Sequence, residues 1–152
     1  MGAIYDAMVE WFTEDKWNFG ENPEGSYIEM QVEGSNCTNW RCFARADEER
    51  EIFVFYAVSP VRAPEDKRSA IMEFLTRANY GMQIGNFEID LNDGEIRYKT
   101  SVDLEGTSAP KPLIRQCVAA CLSIADRYFT GIGGVLYANL TPLDAVTQIE
   151  GG

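Results

Sequence analysis

The chain of 152 residues contains no histidine. This removes the commonest general base and the commonest nitrogen ligand for metals, and with them Ser-His-Asp and Cys-His hydrolase chemistry. Long apolar runs are missing as well. Without a stretch of roughly 18 consecutive apolar residues, no membrane-spanning helix is expected. The N-terminus lacks a basic segment followed by an apolar one, so the reading is a soluble, cytoplasmic protein without a secretory signal. Cations are scarce: 13 Lys and Arg stand against 24 Asp and Glu, for a net charge of −11. Nucleic-acid binding, which needs cations to displace counterions, is therefore disfavoured, while solubility and basic partners are favoured.

Phosphate-cradling motifs are absent too. Gly131-Ile132-Gly133-Gly134 fails as a dinucleotide fingerprint, because Leu136 stands where the last glycine is required. The four cysteines, Cys37, Cys42, Cys117 and Cys121, are spaced C-x4-C and C-x3-C, poorly suited to zinc. They read as reduced, buried thiols, and no cofactor is expected.

Apolar residues make up 45% of the chain, enough for a sizeable core, and the length suits one domain over 1–152. The most fully specified stretch is 64–102. Pro64, Glu65 and Asp66 suit a helix start, and Ile71, Phe74, Leu75 and Ala78 form one apolar stripe. Gly81 suits the left-handed stop. Phe87, Ile89 and Leu91 then alternate with Glu88 and Asp90, and Asp93-Gly94 predicts a two-residue hairpin loop into Glu95–Val102. That loop would set Leu91 opposite Ile96, Ile89 opposite Tyr98, Asp90 opposite Arg97 and Glu88 opposite Lys99.

Before this unit, residues 3–16 read as a helix with two apolar stripes, Trp17–Phe19 leaves room for a short strand, and 21–25 reads as a loop. Strands are expected over Tyr27–Glu33, Thr38–Ala46 and Glu51–Val58. On the last of these both faces are apolar. Phe53 and Phe55 therefore need a cover: the chain's own helix, a partner chain or a bound peptide, with Phe43 on the neighbouring strand extending the patch. Phe43, Phe53 and Phe55 are accordingly the candidate partner-binding residues. After the unit, a helix is expected over about Leu113–Phe129, broken by the glycines of 131–134. A further turn at Val135–Asn139 follows, then a last short helix opened by Thr141-Pro142-Leu143-Asp144. Gly151-Gly152 reads as a chain end rather than a conjugation tail. The order α-β-β-β-α-β-β-α predicts an α+β fold, an antiparallel sheet with helices packed on one side.

Arg77 and Asn79 after helical Leu75, then Gly85 and Phe87, then the acidic tip Asp93-Gly94, resemble the signature of the YbjN domain family. The resemblance implies the fold of type III secretion chaperones, small acidic units that commonly homodimerise and hold an extended client segment against apolar patches. It brings no catalytic residue. The functional expectation is a non-enzymatic, chaperone-like or regulatory module that binds a protein client or partner, with a homodimer expected. The alternative is a small-molecule sensor with its pocket between sheet and helices. Neither nucleic acid nor membrane is an expected partner.

Overall fold

The computed structural model describes residues 2–151; Met1 and Gly152 lie outside them. Six strands form one antiparallel sheet in the order β1-β2-β3-β4-β6-β5. They are β1 (Gly20–Asn22), β2 (Tyr27–Val32), β3 (Trp40–Asp47), β4 (Ile52–Val58), β5 (Asn86–Ile89) and β6 (Ile96–Asp103). The helices are α1 (Ala3–Glu14), α2 (Arg68–Asn79), α3 (Pro110–Tyr137) and α4 (Pro142–Glu150), with a short 3-10 turn at Glu65–Lys67 leading into α2. This is the α+β architecture expected, with α1 and α3 packed on one face of the sheet.

Alternation along each strand decides which face they cover. Ile28 and Met30 of β2, Trp40, Cys42 and Ala44 of β3, Phe53, Phe55 and Ala57 of β4, and Ile96 and Tyr98 of β6 all point inward and are buried. Phe12 of α1 stacks on Phe55 with ring centroids 6.3 Å apart, and Trp40 meets Phe129 of α3 edge-on at 5.4 Å. Thr100 of β6 is also buried and donates its hydroxyl to the Cys117 carbonyl at 2.9 Å.

Three local expectations are corrected. The first strand falls at Gly20–Asn22, directly after Trp17–Phe19 and overlapping the start of the stretch 21–25 expected as a loop, because the Trp17 and Phe19 rings turn onto Phe12. The β5–β6 hairpin pairs Ile89 with Ile96 and Glu88 with Arg97, two residues away from the expected register. Asp90 closes the ladder by donating to the Glu95 carbonyl, so Leu91–Gly94 form a four-residue loop, and Leu91 is exposed. A two-residue shift preserves parity, so the faces of β5 and β6 are those the pattern predicts.

The third correction is α3, which runs unbroken through its glycines to Tyr137. Each helical glycine costs about 1 kcal/mol relative to alanine. Burial of Ile132 and Val135, at about 1.5–3 kcal/mol each, outweighs that. Gly131 is also needed for packing: a Cβ there would lie 2.4 Å from the Phe74 ring.

Candidate partner-binding face

No helix covers the other face of the sheet in its middle strands. Its side chains form cross-strand rows: Tyr27, Arg45, Val54 and Ser101; then Glu29, Phe43, Tyr56, Lys99 and Asn86; then Gln31, Arg41, Val58, Arg97 and Glu88. Phe43, Tyr56, Val54 and Val58 are only partly covered. Tyr27 meets Phe43 edge-on at 5.9 Å. The Arg41 guanidinium lies 4.8 Å from the Phe43 ring centroid, and that of Arg97 lies 4.2 Å from Tyr56. Tyr27, Phe43, Tyr56 and Val58, with Arg41, Arg45, Arg97 and one carboxylate, Glu95, line a shallow groove of about 330 Å³.

The charges on this face are unevenly paired. Glu88 accepts from Arg97 at 2.7 Å and from Lys99 at 2.9 Å. Burial acts to raise the Glu88 carboxyl, but these two bonds outweigh it and hold its pKa below the usual value. Arg41 approaches Glu29 only to 3.6 Å. Among the described residues Arg45 has no carboxylate within 4.0 Å.

The three phenylalanines expected together are separated by the register. Phe43 pairs with Tyr56 and belongs to the open face, whereas Phe55 pairs with Ala44 and points under the helices. Phe53 and Phe55 are 0% exposed. The chain's own helices supply their cover, so they pack the core beneath the groove instead of lining it. Sequence reasoning missed Tyr27, Arg45, Tyr56 and Val58 as members of the site. The signal was present: Arg41 and Arg45 share parity with Phe43, and charges at alternate positions mark the solvent face.

The other chemistry-bearing side chains are spent on architecture. Burial pushes the Cys42 thiol up to about 12 and raises the other three cysteines, so all four are protonated and unreactive at neutral pH. Asn79 grips the edge strand by accepting from the Phe87 amide at 2.7 Å and donating to its carbonyl at 3.1 Å. Gly85 takes φ +75° with the Lys99 carbonyl 2.3 Å from where a Cβ would sit. At the hairpin tip, Gly94 accepts from the Ala63 amide at 2.9 Å, and Arg68 donates to the carbonyls of Ala63 and Leu91. Arg77 pairs with Glu73 one turn earlier on α2. These residues clasp α2 to the β5–β6 hairpin and fix the far edge of the sheet. A separate cleft of about 520 Å³ lies at the β2–β3 turn against α3, and Asp126 reaches into that turn.

The YbjN family model, described as a putative bacterial sensory transduction regulator, matches residues 5–133. The chain belongs to the YbjN family. The clasp accounts for the family resemblance at Asn79, Gly85, Phe87 and Gly94 in structural terms, while Arg77 pairs within α2. Among solved structures the chain is similar to YbjN from E. coli, with a TM-score of 0.60, 11% identity, and 79% of this chain and 86% of that chain covered. It is also similar to a chain of the HopA1-SchA chaperone–effector complex (TM-score 0.53, 14% identity, 82% and 91% covered). A third likeness is to a chain of the ExsC-ExsE complex (TM-score 0.51, 11% identity, 79% and 86% covered). At these identities the likeness shows a shared fold. No curated protein matches the chain. In this chain α4 lies beyond the matched segment, and among the described residues no helix is long and apolar enough to cross a membrane.

Proposed function

We propose that this YbjN-family chain is a non-enzymatic, chaperone-like or regulatory module that docks a partner polypeptide on the open face of its sheet. The observation that carries the reading is the half-covered cluster of Tyr27, Phe43, Tyr56 and Val58, from three adjacent cross-strand rows, on a face no helix packs against. Partly apolar faces of this kind serve as docking surfaces. Chains of the same fold occur in a chaperone–effector complex and in the ExsC-ExsE complex, which supports a protein partner. In this reading Phe43 makes contact, while Phe53 and Phe55 stiffen the sheet from beneath.

A cytoplasmic setting belongs to the proposal, supported by four unpaired cysteines. So does a homodimer. Tyr80 is 89% and Leu143 is 51% exposed beside a groove of about 450 Å³ between α2 and α4. Light scattering would then give twice the 17.1 kDa chain mass.

The test is quantitative affinity capture from native cells by wild type and by the Phe43→Ser and Tyr56→Ser variants, each confirmed as folded by circular dichroism. A specific co-purifying protein that the variants lose supports the docking face. The same protein retained at wild-type yield overturns it.

A further inference from the structure

Along β3 the open face presents Arg41, Phe43 and Arg45 at successive alternate positions, a cation, an aromatic ring and a cation about 7 Å apart. An extended peptide repeats its own side chains on one face at the same interval. Resting on the docking reading above, we propose that the groove takes an extended segment of a partner protein with acidic–x–aromatic–x–acidic spacing, lying along β3.

Charge complementarity selects this occupant. The chain carries a net −11, yet this groove gathers three arginines against one lining carboxylate, Glu95. Arg45 is exposed and has no carboxylate partner among the described residues. Arg41 meets Glu29 at a distance too long for a hydrogen bond. Arg97 uses its Nε on Glu88, and no acceptor meets its terminal nitrogens among the described hydrogen bonds. Guanidinium groups laid over Phe43 and Tyr56 are oriented in advance, and their free edges match carboxylates in a paired, planar geometry. The acids elsewhere on the surface do not cancel this, because screening confines each charge to about 8 Å at physiological salt. Two copies stacked by this face would bring arginines together, which disfavours a second copy as the occupant.

The probe is a fluorescein-labelled peptide, Ser-Gly-Glu-Thr-Phe-Thr-Glu-Gly-Ser, read by anisotropy with the full chain. Two further peptides replace both Glu by Lys, or place the two Glu side by side. The acidic, correctly spaced peptide is expected to bind about tenfold tighter than either control, and to lose about tenfold with Arg45→Glu. Arg115→Glu, on the exposed side of α3, should leave binding unchanged, and circular dichroism should be native for both variants. Equal binding of the three peptides, no binding of the acidic one, or indifference to Arg45→Glu overturns the inference. The docking face itself is judged separately, by capture with Phe43→Ser and Tyr56→Ser.

Discussion

Asp126, on α3, ties together segments some 90 positions apart. Its carboxylate accepts from the Cys37 amide at 2.9 Å, the Asn36 amide at 3.0 Å and the Trp40 indole at 3.1 Å. Burial acts to raise its pKa, and these donors outweigh that and hold it below the usual 3.8. A carboxyl depressed in the folded state binds fewer protons there than in the unfolded chain. Its stabilisation is whole well above 3.8, the unfolded value, and drains as pH falls below that through the lower folded value. Asp126→Asn is expected to cost about 1–2 kcal/mol at pH 7 and to reduce the stability difference between neutral and acid pH, both measured by urea unfolding. An unchanged acid profile would remove Asp126 from this role. Gly85 tests the clasp at the same scale: Gly85→Ala meets both φ +75° and the Lys99 carbonyl, and should cost about 2 kcal/mol or more in the same measurement. The signature residues were legible in the sequence as a pattern, but their partners were not. Nothing local to Asn79 or Asp126 announces a bond to Phe87 or to a turn from the far end of the chain.

At the scale of elements, α3 offers a pair of substitutions with opposite signs. Gly133 has open space around it, so Gly133→Ala should stabilise by about 0.5–1 kcal/mol. Gly131→Ala drives a methyl into Phe74 and should destabilise. Thermal melts of the two variants moving in the same direction would contradict this account of the helix. The glycines read as a break because propensity is local, whereas the burial that carries α3 across them is tertiary. The hairpin loop shows the converse. Asp93-Gly94 announced a turn correctly, but the left-handed Gly94 sits at the end of a four-residue loop clasped to Ala63, and only the three-dimensional contact reveals that. Strand parity survived this shift, so the division of residues between sheet faces was legible from Tyr27 to Val102.

For the whole molecule, parity told which residues share a face, but not which face the helices would cover. β4 is apolar on both sides, so Phe53 and Phe55 looked like the spare surface until α1 and α3 were seen to seal them. The arginines of β3 carried the better clue. This division predicts sharply different outcomes for two phenylalanines. Phe55→Ser should cost about 3–5 kcal/mol, as loss of a fully buried ring does. Phe43→Ser should cost about 1 kcal/mol or less by urea unfolding, since its ring is already partly in water.

Docking on the open face is tested most directly by photo-crosslinking in the native cell, with a benzophenone amino acid placed at position 43 or 56 and, as a control, at position 16. The account predicts a discrete polypeptide adduct from positions 43 and 56 and none from position 16. Adducts of equal yield from all three positions, or none from 43 and 56, would contradict it.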